Sequence, residues 1–185
     1  LEHQRKQRSV IAVSPQGLTF SAKGGVMASR PNFLQAWQRF SEVNVPVPLV
    51  GKKIGGNVGV NIQIGEDSDT EGFKNACAIR MSYALNYSGA KVERGSWATV
   101  SGADKNWYIY RVKDLKPYLK HKYGAPDKTV RNPTINDFSN MKGILVFTVD
   151  SWSDASGHAT LWNGNTCSDH CYFPQATEAS IWLLK

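Results

Sequence analysis

Helical periodicity in the first two thirds of the chain and strand-like runs in the last third predict an α+β domain. Three observations carry this. Phe33, Trp37, Phe40 and Asn44 recur at spacings of four, three and four, and Leu115, Leu119 and Tyr123 at four and four. Ile144-Leu145-Val146-Phe147-Thr148-Val149 is a near-continuous apolar run preceded by Gly143, as in a buried central strand. Asn163-Gly164-Asn165 then supplies a tight turn after a second strand-like segment. The expected architecture packs N-terminal helices on an antiparallel sheet, a meander, from the C-terminal half.

In chain order, residues 1–26 lack periodicity and end in Lys23-Gly24-Gly25. They read as a leader or an appended extension, with a single domain over residues 27–185; a basic targeting arm is the alternative. Ser29-Arg30-Pro31-Asn32 opens the first helix with Pro31 near its first position, and Val45-Pro46-Val47-Pro48 ends it. Gly51 to Ile64, with Ile54-Gly55-Gly56-Asn57-Val58-Gly59 inside it, reads as a tight loop whose glycines take positive φ. Its spacing is not that of a phosphate loop; the functional alternative is a loop bringing backbone close to a ligand near Cys77. Glu66 to Glu71 reads as a solvated acidic turn without the calcium-loop pattern.

Asn75 is placed to cap a helix that runs through Ala76, Ile79, Met81, Tyr83 and Leu85 and stops at Gly89. Lys91 to Asn106 is loop-rich, Trp107 to Tyr110 a short strand, and Val112 to Tyr123 a helix whose regular part begins at Pro117. His121, between Lys120 and Lys122, belongs to its solvated face. Gly157 to Trp162, Cys171 to Phe173 and Ala179 to Leu184 supply the remaining strands.

Composition narrows the function. A chain of 185 residues with six tryptophans builds a real core and is not disordered. No apolar run reaches the length of a membrane span, and Val10 to Val13 is too short for the apolar region of a secretory signal. Of the net charge of +7, residues 1–26 hold +3, leaving 18 basic and 14 acidic side chains in the body. That mild excess suits an anionic polymer such as a cell wall; no basic run with interleaved aromatics points to nucleic acid.

Chemistry centres on Cys77. In the first turn of its helix, exposed amides and the helix dipole favour a thiolate. A nucleophilic cysteine needs a base, and His158 shares one face of its strand with Thr160 and Trp162. An acid must then fix the imidazole tautomer. Asp169 and Asp154 are the candidates, and Asp150, ending the preceding strand, is less well placed. Cys167 and Cys171 admit two readings. As an i, i+4 pair in a helical turn they lie within disulfide reach and hold Asp169 between them. The rival, zinc bound with His158 and His170, lacks a convincing fourth ligand, so the disulfide is favoured.

With these residues identified, the chain resembles the fourth family of type VI secretion amidase effectors over about residues 29–185. The likeness rests on Arg30-Pro31-Asn32-Phe33…Ala36-Trp37, Ile54-Gly55-Gly56-Asn57-Val58-Gly59 and Asn75-Ala76-Cys77-Ala78-Ile79-Arg80-Met81-Ser82-Tyr83. It continues through Gly157-His158, Leu161-Trp162-Asn163-Gly164 and Thr166-Cys167-Ser168-Asp169-His170-Cys171-Tyr172-Phe173. The resemblance implies a papain-like NlpC/P60 fold and a peptidoglycan endopeptidase cutting the γ-D-glutamyl–meso-diaminopimelate amide of stem peptides. It implies Cys77, His158 and Asp169 as nucleophile, base and orienting acid, a Cys167–Cys171 disulfide, and neither cofactor nor metal. The implied partners are a cognate immunity protein and the type VI apparatus, which injects the enzyme from the producer cytoplasm into the target periplasm; neither nucleic acid nor membrane insertion is expected.

Overall fold

The computed structural model describes residues 19–20, 26–153 and 156–185. The proposed extension 1–26 therefore lies largely outside the described residues, as does Asp154. A two-residue antiparallel ladder, β1 (Thr19–Phe20) with β2 (Val26–Met27), precedes four helices. These are α1 (Phe33–Ser41), α2 (Val47–Ile54), α3 (Gly56–Asp67) and α4 (Cys77–Tyr87). A hairpin of β3 (Thr99–Ser101) and β4 (Trp107–Ile109) leads into α5 (Val112–Tyr123). Strands β5 (Lys128–Arg131), β6 (Gly143–Thr148), β7 (Gly157–Trp162) and β8 (Glu178–Leu183) then form an antiparallel sheet in the order β5-β8-β6-β7.

The apolar run Gly143–Thr148 is central, as its sequence predicts, because both its faces are covered. Ile144 and Val146 meet α1, α4 and α5 on one side. Leu145 and Phe147 meet Phe138, Phe173 and Ile181 on the other. Helix α4 is buried along almost its whole length, which is why its apolar residues follow no single stripe. Its stop is as expected: Gly89 takes φ +82°, and Ala90 N–H donates to Leu85 O at 3.0 Å.

Several expectations are corrected. Gly51 to Ile64 is not a loop but most of two helices. Val50, Ile54, Val58 and Ile62 are all buried at four-residue intervals, a stripe that continues across the break at Gly55 and Gly56. Those two glycines do take positive φ, +64° and +59°, and a Cβ on Gly56 would lie 2.5 Å from Ala103 N. Helix α1 stops at Ser41, before the expected stop at Val45 to Pro48; Pro46 and Pro48 instead start α2, where a missing N–H costs nothing. Pro31 precedes the cap of α1 rather than entering the helix; Asn32 is the cap, its Oδ1 accepting Gln35 N–H at 3.1 Å. Helix α5 runs unbroken through Pro117, which is exposed.

The sheet is not a meander, since β8 returns to the far side of β6 instead of pairing with β7. Cys171 to Phe173 is correspondingly not a strand. It belongs to a covering segment that drops Phe173 and Ala176 into the second core. Strand β5 escaped prediction because an edge strand of alternating exposure (Lys128-Thr129-Val130-Arg131) carries one apolar side chain.

Candidate active site

Helix α4 begins at Cys77 itself, with Ala76 as its cap, one residue later than an Asn75 cap would give. Asn75 still tends this end, because its Oδ1 accepts the Cys77 N–H at 3.0 Å. Cys77 is a free thiol, buried at 3% exposure. Arg80 fastens the same helix to the α1–α2 link: Nε donates to Val43 O at 3.0 Å and Nη2 to Val45 O at 2.7 Å. Between those carbonyls, Asn44 reaches the other way and donates Nδ2–H to Ser168 O at 3.0 Å. One link thus ties the cysteine helix to the loop that carries Asp169.

His158, on the edge strand β7, stands close enough to the Cys77 side chain for the sulfur to raise the imidazole pKa. Its Nε2 lies 3.0 Å from both Asp169 oxygens, leaving Nδ1 as the ring nitrogen for sulfur. Both side chains are buried, at 8% and 5% exposure. Asp169 is held by more than the histidine. Thr160 Oγ1–H donates to its Oδ1 at 2.6 Å, and the nearby His170 backbone N–H also favours its ionised form. Ser168 supports the arrangement, its Oγ accepting Leu161 N–H at 3.1 Å and lying 3.1 Å from Thr160 Oγ1. The Asn163-Gly164-Asn165 turn sets this up, since Asn163 Oδ1 accepts the N–H of both Asn165 and Thr166 at 2.9 Å. The chain then returns alongside β7, with Cys167 bridged to Trp162.

Cys167 and Cys171 form a disulfide with Cα atoms 5.5 Å apart. The segment is an extended loop and not the helical turn expected, but the consequence is the same: Asp169 sits inside a five-residue ring. Both sulfurs being bonded to one another, neither is a thiolate ligand, which removes the zinc reading. Asp150 is exposed and stands apart. His121 lies exposed against Trp97, as expected of a surface residue.

The charges reinforce one another. Burial lowers the His158 pKa, but the hydrogen bonds and negative charges of Asp169 and Cys77 outweigh it and push His158 up to about 9. Burial raises Asp169, and the bonds from His158, Thr160 and His170 overcome this and hold it below the usual carboxylate range. At neutral pH a protonated imidazole is therefore paired with the Asp169 carboxylate beside the sulfur.

Two cavities flank the pair. One of about 320 Å³ is lined by Cys77, Tyr110, Arg111, Lys113 and Ser156. Another of about 390 Å³ is lined by Asn44, Arg80, His158, Asp169, His170 and Tyr172. Asn75 and Trp152 border both and so mark the waist of the cleft the two make together, with the thiol lining one side and the imidazole the other. Tyr172 roofs the imidazole edge-on, with ring centroids 4.8 Å apart, and is itself braced by Trp152 at 4.9 Å. The arrangement suits nucleophilic attack by sulfur on an amide of an extended substrate.

The model of a protein family described as type VI secretion system amidase effector protein 4 matches residues 73–183. The chain belongs to the amidase effector 4 family. Solved structures of amidase effector 4 proteins agree with this. The Salmonella typhimurium effector Tae4, in complex with the immunity protein Tai4 from Enterobacter cloacae, is 47% identical. That match covers 84% of this chain and all of the other, with a TM-score of 0.78. The Enterobacter cloacae effector Tae4 is 49% identical over 86% of this chain and 99% of its own, also at 0.78. The effector in the Enterobacter cloacae Tae4–Tai4 complex gives 48% over 84% and 99%. No curated protein matches the chain. As a member of the amidase effector 4 family with the same fold, the chain is an amidase effector of type VI secretion with an NlpC/P60-like architecture.

Sequence reasoning passed over Asn44, Arg80 and Tyr172 as site residues. Arg80 had a signal, being the only charged side chain in the otherwise uncharged Cys77–Tyr87 helix. The other two are brought in by the chain's path and carry no local signature.

Proposed function

We propose that this effector is a cysteine amidase that hydrolyses the γ-D-glutamyl–meso-diaminopimelate amide of peptidoglycan stem peptides. Cys77 is the nucleophile, His158 the acid and base, and Asp169 the orienting carboxylate. The observation that carries the assignment is one buried imidazole bonded to Asp169 and standing beside the Cys77 thiol at a helix start. Sulfur attacks the γ-carbonyl carbon, and the developing oxyanion faces the amides of the first turn of α4. His158 gives its proton to the diaminopimelate nitrogen as the C–N bond breaks, leaving a γ-glutamyl thioester on Cys77. Neutral His158 then takes a proton from water, which attacks the thioester and restores the thiolate–imidazolium pair. Asp169 stays ionised and keeps Nε2–H from rotating away.

Type VI injection delivers the enzyme from the producer into the periplasm of the target cell, where its polymer lies. A cognate immunity protein, as in the Tae4–Tai4 complexes, would protect the producer by covering this cleft. The test is mass spectrometry of sacculi digested by the wild type and by Cys77→Ala. The wild type should release products cut at the glutamyl–diaminopimelate bond and the variant none, with an unchanged circular-dichroism spectrum. Cleavage retained by Cys77→Ala removes the nucleophile assignment, and products of another mass remove the bond assignment.

A further inference from the structure

Arg80 stands three residues after Cys77, on the neighbouring turn of the same face of α4. Its guanidinium is half-buried and lines the arm of the cleft that also holds His158 and Asp169. A guanidinium carries five N–H donors. The bonds to Val43 O and Val45 O use Nε and one side of Nη2, and among the described residues no carboxylate forms an ion pair with Arg80. Among the described residues Asp169 is the only acidic side chain lining this arm, and its oxygens are already engaged by His158 and Thr160. The arm therefore presents a fixed positive charge, pre-oriented by two backbone carbonyls, with the Nη1 donors uncommitted. A planar, anchored fork of this kind is matched to a carboxylate.

The proposed substrate carries one close to the bond that is cut. A glutamyl residue joined through its γ-carbonyl keeps a free α-carboxylate, four bonds and about 5 Å along an extended chain from the carbon that sulfur attacks. We propose that Arg80 binds this α-carboxylate through Nη1 and so selects stem peptides whose D-glutamyl residue is not amidated. The inference rests on the amidase reading. It adds the group that fixes the acyl side of the substrate while the scissile carbonyl sits at the waist. Burial lowers the Arg80 pKa, while the negative charges of Asp169 and Cys77 oppose that change, consistent with a cation sharing their cleft.

The experiment compares two synthetic stem peptides that differ only in carrying an α-carboxylate or an α-carboxamide on the D-glutamyl residue. Wild type, Arg80→Gln and Arg80→Lys are each assayed for kcat and KM, with thermal melting as a fold check. Wild type should prefer the carboxylate by about tenfold or more in kcat/KM, mostly through KM. Arg80→Gln should lose selectively on the carboxylate, bringing the ratio close to one, and Arg80→Lys should keep part of the preference. Equal losses on both peptides would overturn the inference and leave Arg80 as a tie between α4 and the α1–α2 link. So would a wild type that cleaves both peptides equally well, a result independent of whether any variant folds. A wild type that cleaves neither would overturn the amidase reading itself.

Discussion

Asp169 would be an expensive residue to bury alone; its bonds from His158 and Thr160 make it tolerable, and the shorter comes from Thr160 at 2.6 Å. Thr160→Val keeps the shape and the β-branch while removing that donor. Hydrogen bonds to charged groups contribute about 1.5–3 kcal/mol, so the variant should lose roughly that much stability near neutral pH in denaturant titrations. The difference from wild type should shrink in acid as Asp169 takes up a proton. At the same site the imidazole offers a direct readout. An NMR titration should place the His158 transition near 9 in the wild type. Cys77→Ala and Asp169→Asn should each move it down, because each removes a bond and a charge that favour the imidazolium. Asp169→Asn should also slow turnover strongly. An unchanged rate would take the orienting role from Asp169.

At the scale of elements, the Cys167–Cys171 ring and the glycine turn between α2 and α3 do different work. Closing so short a ring stabilises by only about 2 kcal/mol on the chain-entropy estimate, but the ring encloses Asp169. Reduction, or a Cys167→Ser/Cys171→Ser double variant, should therefore cost activity out of proportion to melting temperature, measured as hydrolysis rate against thermal denaturation. The glycines separate conformation from crowding. Gly89 has positive φ and nothing within 4 Å of an added Cβ, so Gly89→Ala should cost about 1 kcal/mol. Gly56→Ala adds a clash with the backbone of Ala103 and should destabilise clearly more.

These elements also explain what the sequence could reveal. Cys77 and His158 were legible as candidates because each sits beside local punctuation, a helix start and a strand of period two. Spacing left Asp169 and Asp154 both open, and only the family resemblance chose Asp169. Helices α2 and α3 were hidden because their glycines suggest a loop, whereas Gly51 and Gly59 serve close packing; a Cβ on Gly59 would meet Gly51 O at 2.9 Å. The buried stripe Val50, Ile54, Val58, Ile62 was the better signal. Strand order was not legible, since nothing local states that the segment after β7 must cross the sheet to cover Phe147 and pair β8 with β6.

For the whole molecule, titrating groups in separate parts of the fold set one stability profile. On the acid side, four carboxylates sit below their ordinary range. Burial opposes this for Glu42, Asp104 and Asp169, and is outweighed by Tyr83 and Arg39, by Tyr108 and Tyr87, and by His158 and Thr160 respectively. Asp137 is lowered by the backbone N–H and hydroxyl of Thr134. A depressed carboxylate contributes stability above its unfolded pKa and loses it as pH falls through the folded one. Because these groups span the helical layer, the 3₁₀ turn Ile135–Phe138 and the site, acid should unfold the domain as a unit. The alkaline side has the opposite sign. His158 is raised to about 9, so its contribution is complete below about pH 6.5, the ordinary histidine value, and is lost as pH climbs through 9. The buried tyrosines, raised above their ordinary range mainly by burial, withdraw stability only at still higher pH. Melting temperature should therefore plateau between about pH 4 and 6.5 and decline toward 9. In Cys77→Ala, which relieves part of the upward shift on His158, that decline should be smaller and centred lower. An identical alkaline limb in wild type and variant would mean that the thiol and the imidazole are not coupled in solution.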